Sequence, residues 1–209
     1  MTALEVAQAR ALAAGLLVEL PDRWRHTIAV AARAEELADA VDRSDHEVLH
    51  AAAWLHDVGY SRRVSRTGFH PLDGARFLDR EGWPLRVCAL VAHHSGARFL
   101  ARSYGLSMQL NAYADERSPV TDALAYADQT VGAAGERLPL EERWADMLRR
   151  HGPGSANVLV HEERAPYLRA AAERVERRLR RTRKPDTPAA AGMADEVVWS
   201  SCVSRSDWR

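Results

Sequence analysis

Apolar residues along this chain recur at intervals of three and four, the period of a helix with one buried face. From Trp24 onward, Ile28, Ala31, Ala34, Leu37 and Val41 keep that spacing. Ser44 and Glu47 form a capping-box pair ahead of Val48, Ala51, Ala52, Leu55 and Val58, which carry a second helix to Gly59. Prolines mark further starts: Pro71 opens a helix over Leu72–Glu81 with Gly82 as its stop, and Pro84 opens one through Leu90 and Val91 that ends before Gly96. Pro119 opens a helix carrying Ala123, Leu124, Ala127 and Asp128, closed by Gly132. Two more are expected, from Pro139 to His151 and from Pro166 to about Arg181. No run alternates apolar and polar residues for long enough to make a sheet. The expected fold is all-α, a single-domain bundle of seven to nine helices.

With 209 residues, 46% hydrophobic and 28% charged, the chain has enough apolar surface for one domain with its own core. A formal net charge of zero removes the general case for nucleic-acid binding. Two cysteines, Cys88 and Cys202, exclude a Cys-rich zinc module and argue for a reducing, cytoplasmic setting. The apolar stretch Ala11–Val18 is too short to span a membrane and is flanked by Glu5, Arg10 and Glu19, so neither a signal nor a membrane partner is expected. From Arg174 to Lys184 the chain is arginine-dense, which reads as a solvated helix face paired with Glu173 and Glu176. After Pro185 it turns to Pro, Ala, Ser and Gly without periodicity. The expected division is a helical domain over 1–183 and a flexible tail over 184–209.

The histidines carry the chemistry. His26 lies early in the first amphipathic helix; His56 and Asp57 sit together near the end of the next; His70 precedes Pro71; His93 and His94 run into Ser95-Gly96. Asp128 lies inside an apolar helix, where an uncompensated carboxylate is costly. Each residue alone reads as a helix-end or surface group. Together they form an imidazole and carboxylate set of the kind that suits zinc, iron or manganese, and helical bundles build such sites from facing helices.

His26, then His56-Asp57, then Asp128 resembles the H…HD…D pattern of the HD-domain superfamily of metal-dependent hydrolases. Thr-Gly-Phe-His70-Pro-Leu-Asp-Gly-Ala and Val-Ala-His93-His94-Ser-Gly are similar to the extra histidine motifs of its dinuclear members. The likeness covers about residues 20–135. It implies that His26, His56, Asp57 and Asp128 bind one divalent transition metal (Fe, Mn, Co, Ni or Zn), and that Asp57 bridges to a second ion held by His70 and His93. His93 is favoured by its spacing to Gly96, as in the family motif. His56 and Asp57 then belong to the catalytic set together with His94, which either contacts substrate or caps the helix end.

A bound divalent ion lowers the pKa of water towards neutrality, and arginines neutralise phosphoryl oxygens as charge develops. Arg62, Arg63, Arg66 and Arg98 are the nearby candidates for a small phosphorylated substrate. The family often has Lys where this chain has Tyr60, which removes a phosphate contact there. Metal-dependent cleavage of a phosphoester or phosphoanhydride is therefore the leading expectation. Two others stand beside it: a di-iron oxygenase, similar to inositol oxygenase, and a regulatory domain that binds metal or nucleotide without turnover. A competing motif, His46-Glu47-Val48-Leu49-His50, matches the HExxH pattern of zinc peptidases. It lacks a third ligand in a recognisable context, its Glu47 already has a capping role, and the chain lacks the sheet with which such enzymes bind peptide backbone.

Overall fold

The computed structural model describes residues 3–183. Eleven α-helical segments follow in order: α1 (Ala3–Leu17), α2 (Pro21–Glu36), α3 (His46–Leu55), α4 (His70–Arg80), α5 (Leu85–His93), α6 (Ala97–Ser103), α7 (Ser107–Leu110), α8 (Pro119–Gln129), α9 (Leu140–His151), α10 (Ala156–Leu159) and α11 (His161–Arg183). Four 3-10 turns link them, two of which, Val58–Tyr60 and His94–Gly96, carry site residues at their edges. Among the described residues there is no strand, only an isolated bridge between Val131 and Arg137. No described helix is long and apolar enough to cross a membrane. The tail expected over 184–209 lies outside the described residues.

The core is built around α3, which packs against α1, α2, α5 and α8. Its short side chains explain why it can be central: Ala51, Ala52 and Ala53 let neighbouring helices approach, while Leu49 and Leu55 fill the space between them, all fully buried. Truncating a fully buried leucine such as Leu49 to alanine costs about 2–5 kcal/mol in such a setting. A second apolar cluster, including Phe69, Leu72, Leu100 and Leu110, lies under α4, α6 and α7.

Several local expectations change. The buried face of α2 runs through His26, Thr27, Val30, Ala31 and Ala34, while Ile28 is 42% exposed and Val41 lies beyond the helix in extended backbone. Ser44 does not cap α3: it sits in the 3-10 turn Arg43–Asp45, and the helix starts at His46 without a side-chain cap. The box instead forms at α8, where the Ser118 hydroxyl accepts the Val120 and Thr121 N–H groups at 3.1 and 3.2 Å. Helix α11 begins at His161, so Pro166 falls inside it rather than at its start. Its arginines are only partly a solvated face. Arg174 and Arg178 reach buried Asp122 of α8 at 2.6 and 2.9 Å and tie the last helix to the core, while Arg180 pairs with Glu176 at 3.6 Å.

Candidate metal centre

Five segments converge on one buried cluster. Helix α2 supplies His26, the end of α3 supplies His56 and Asp57, the start of α4 supplies His70, and α8 supplies Asp128. The end of α5 supplies the sixth donor, His94. His26, His56, Asp57, His94 and Asp128 are all buried, and His70 is partly exposed to the adjoining cavity.

The donors fall into two groups that could each hold a metal ion: His26, His56 and Asp128, and Asp57, His70 and His94. Asp57 faces both. Its Oδ2 lies 3.2 Å from His56 Nε2 and 3.7 Å from His26 Nε2, whereas Oδ1 lies 3.5 Å from His70 Nε2 and 4.0 Å from His94 Nε2. His26 Nε2 and Asp128 Oδ1 are 3.0 Å apart.

The tautomers are set from behind. His26 Nδ1 meets the Gly132 carbonyl at 2.8 Å, His56 Nδ1 the Ala53 carbonyl at 2.8 Å and His94 Nδ1 the Val91 carbonyl at 2.6 Å. A carbonyl can only accept, so each Nδ1 carries a proton; the neutral rings of His56 and His94 then present their Nε2 lone pairs inward, while His26 Nε2, without a cation, donates to the ionised Asp128 Oδ1. Backbone carbonyls of this kind orient histidine ligands in metal sites. His56 Nε2 is buried and makes no hydrogen bond despite its proximity to Asp57. An inward lone pair without a donor, beside two carboxylates, is the environment a divalent cation completes. The residues present fit such an ion.

Charge within the cluster is strongly coupled. Burial raises the pKa of Asp57, but Arg23, His56 and His70 outweigh it and hold the carboxyl well below the usual range. Burial likewise opposes ionisation of Asp128, which the His26 hydrogen bond and the charges of His26 and His56 overcome. Burial pulls His70 and His94 down, so both stay neutral, the form that ligates. His56 goes the other way: burial lowers it, but Asp57 and Asp128 raise it further.

Three backbone features deliver this geometry. A Cβ on Gly59 would lie 2.0 Å from the His70 carbonyl oxygen, so only glycine lets the turn after Asp57 press against the first turn of α4. Asp73 gathers the preceding loop, accepting the Arg66 and Thr67 N–H groups at 2.9 Å and the Gly68 N–H at 3.2 Å, and thereby fixes where His70 enters. After His93 the chain kinks: Ser95 takes φ +50° and Gly96 φ +69°.

That kink decides between the two histidines. His94 turns into the cluster, whereas His93 binds the Tyr113 carbonyl through Nε2 at 2.9 Å and joins neither donor group. The expected assignment of His93 to the second group is thus corrected to His94. The arginine expectations also change. Arg62, Arg63 and Arg66 are exposed, and Arg98 pairs with Asp115 at 3.0 Å while stacking over Tyr167; none lines the cavity of about 290 Å³ that adjoins the cluster. Arg23, Arg143, Arg150 and Arg164 line it instead. Arg23 binds Asp57 Oδ2 at 2.8 Å and lies over Tyr60, whose ring also stacks on His70 with centroids 3.9 Å apart. Its position three residues before His26, on the same helix face, is the signal that marks it in the sequence. Ser95 and Gln129, which both donate to Asp128 Oδ2, carry no comparable signal. His46 and His50 gather no third ligand among the described residues, which leaves the HExxH match without a site.

The fold and this cluster define a class: an all-α protein with paired His/Asp donor groups buried between facing helices. A family model described as HD domain matches residues 23–145, and the chain belongs to that family, whose members bind divalent metals. Searches of curated proteins and of solved structures gave no match.

Proposed function

We propose that the protein is a metal-dependent phosphohydrolase that cleaves a phosphoester or phosphoanhydride bond in a nucleotide or small phosphorylated metabolite. The observation that carries this reading is the Asp57 carboxylate, which turns one oxygen to each donor group and so suits a pair of ions. Bound divalent ions of the transition series supply a water of lowered pKa and a positive charge for a phosphoryl oxygen.

The chain's own residues do the rest. Arg23 keeps Asp57 ionised and oriented. Ser95 and Gln129 hold Asp128, and Trp144 Nε1 holds Gln129 at 3.1 Å, so the carboxylate is anchored from behind through a tryptophan. Carbonyls keep a proton on Nδ1 of His26, His56 and His94. Burial excludes bulk water from these groups, which strengthens every electrostatic contact among them. The cavity admits a small substrate along an arginine-rich wall.

Chelated protein reloaded separately with manganese, iron, cobalt, nickel or zinc, and assayed for phosphate release across nucleotides and phosphorylated metabolites, tests the reading. Release that depends on metal is expected. Inactivity with every metal and substrate overturns it, and turnover that requires O₂ in a ferrous sample replaces it with an oxygenase.

A further inference from the structure

The cavity extends beyond the metal donors to a wall formed by α9, α10 and the start of α11, where two guanidiniums make no ion pair among the described residues. Arg164 is only 9% exposed. One of its nitrogens donates to Asn157 Oδ1 at 3.1 Å, and its buried Nε has no partner. Arg143 donates through Nε to the Val131 carbonyl at 2.7 Å and leaves a buried Nη1 unpartnered. Among the described residues neither arginine makes an ion pair. Their neighbours differ: Arg23 is matched by Asp57 and Arg150 by Asp146, at 2.8 and 2.7 Å.

An unpaired buried guanidinium costs stability, and its retained N–H groups are an unfilled demand for an acceptor. Burial lowers the Arg164 pKa, Asp128 offsets part of that, and Arg143 lowers it again. Asn157 engages Arg164 through its carbonyl oxygen, which leaves its amide N–H₂ free to donate. Guanidinium forks and an amide facing a shared cavity recognise a tetrahedral oxyanion.

We propose that Arg143, Arg164 and Asn157 form an anion subsite, separate from the metal donors, that holds a second phosphate of the substrate. The substrate then carries two phosphate groups, as a phosphoanhydride or a bisphosphate, rather than one. This identification rests on the hydrolase reading above, whereas anion binding itself is testable without metal.

Metal-free protein titrated calorimetrically with inorganic pyrophosphate at fixed ionic strength is the first measurement. Wild type should bind one equivalent and melt at higher temperature with it. Arg164→Gln should weaken binding by about tenfold or more, the worth of a charge-assisted contact, with metal content after reloading unchanged. Arg143→Gln, at a less buried position, should act in the same direction and guards against a folding defect in the first variant. Without any anion, Arg164→Met should melt above wild type, because a buried unmatched charge has gone. Pyrophosphate affinity equal to wild type in both glutamine variants overturns the subsite. His56→Ala separates the two readings, since it should lose metal yet keep pyrophosphate affinity. With metal restored, wild type should prefer substrates bearing two phosphates over monoesters, and Arg164→Gln should erase that preference through KM. An undiminished preference in the variant overturns the substrate assignment.

Discussion

His70 and His94 bring their Nε2 atoms to 3.2 Å from each other, although they belong to different helices. The His94 Nδ1 proton is held by the Val91 carbonyl, so its Nε2 lone pair points at the His70 ring. Two imidazole nitrogens converging beside Asp57 Oδ1 form a donor group of their own. His70→Ala and His94→Ala should therefore each lower metal content by about one ion per chain. His93→Ala should leave it unchanged, since His93 points to Tyr113. Metal analysis of reloaded variants reads this directly, and a loss in His93→Ala with none in His94→Ala would reverse the assignment.

Asp57→Asn should be the most damaging conservative change. An amide keeps the shape, but it removes the charge that faces both donor groups and leaves Arg23 unmatched. Metal content should fall by more than one ion, and activity with it. Metal-free protein should also lose stability, by less than the roughly 3–5 kcal/mol of a fully buried broken pair, because Arg23 remains partly exposed to solvent. Thermal melts with and without metal separate the two effects. Full metal content in the variant would falsify the bridging role.

Helix positions were readable in the sequence because proline starts and apolar spacing act locally, as at α4, α5 and α8. The convergence of the candidate donors His26, His56, Asp57, His70 and Asp128 was readable for a related reason: each falls on or beside a helix whose buried face the pattern defines. His93 and His94 were not separable, since the outcome depends on the left-handed turn at Ser95 and not on spacing to Gly96. The cavity arginines were hidden because Arg143 and Arg164 reach the site from α9 and α11, far along the chain, while Arg62, Arg63 and Arg66 are near only in sequence.

Gly59→Ala tests the contact between the Asp57 turn and α4. The added methyl would meet the His70 carbonyl at 2.0 Å and the Gly74 nitrogen at 2.9 Å, both backbone atoms that cannot swing aside. Overpacking of this sort costs about 1–3 kcal/mol. A fall in melting temperature is expected together with loss of the His70 group's metal, since α4 must move away. A variant with wild-type stability and metal content would show that the contact is not tight in solution.

Acid should destabilise the metal-free protein before its carboxylates titrate. Burial depresses the pKa values of His70 and His94 below 6.5, so as pH falls the unfolded chain takes up those protons first. Stability from their neutral forms is complete above 6.5 and is lost as pH falls towards the folded values. His56, raised, opposes this with one proton, and His50, His151 and His161, all lowered first by burial, add to the loss. The net slope is about 1.4 kcal/mol per pH unit for each uncompensated proton. A second loss should follow below 3.8, where Asp57 and Asp128 stay charged only in the folded state. Melting temperatures of chelated protein should drop from about pH 6.5 to about pH 5, and His94→Asn should flatten the slope. A melt that rises on acidification contradicts this account.

Ser95 separates backbone strain from its contact to Asp128. Its φ of +50° is unfavourable for any side chain with a Cβ, and its hydroxyl donates to Asp128 Oδ2. Ser95→Ala keeps the strain and loses the hydrogen bond, so a buried carboxylate oxygen forfeits a donor at a cost of about 1–3 kcal/mol. Ser95→Gly loses the same bond but relieves the left-handed strain, worth about 1 kcal/mol less the entropy of a glycine in the unfolded chain. The glycine variant should therefore melt above the alanine variant, while both bind the metal of the His26, His56 and Asp128 group more weakly than wild type. Chemical denaturation of the metal-free proteins gives the first comparison and competition with a chelator the second. Equal stabilities for the two variants would mean that the kink is not strained, and unchanged metal affinity would mean that Gln129 alone suffices to hold Asp128.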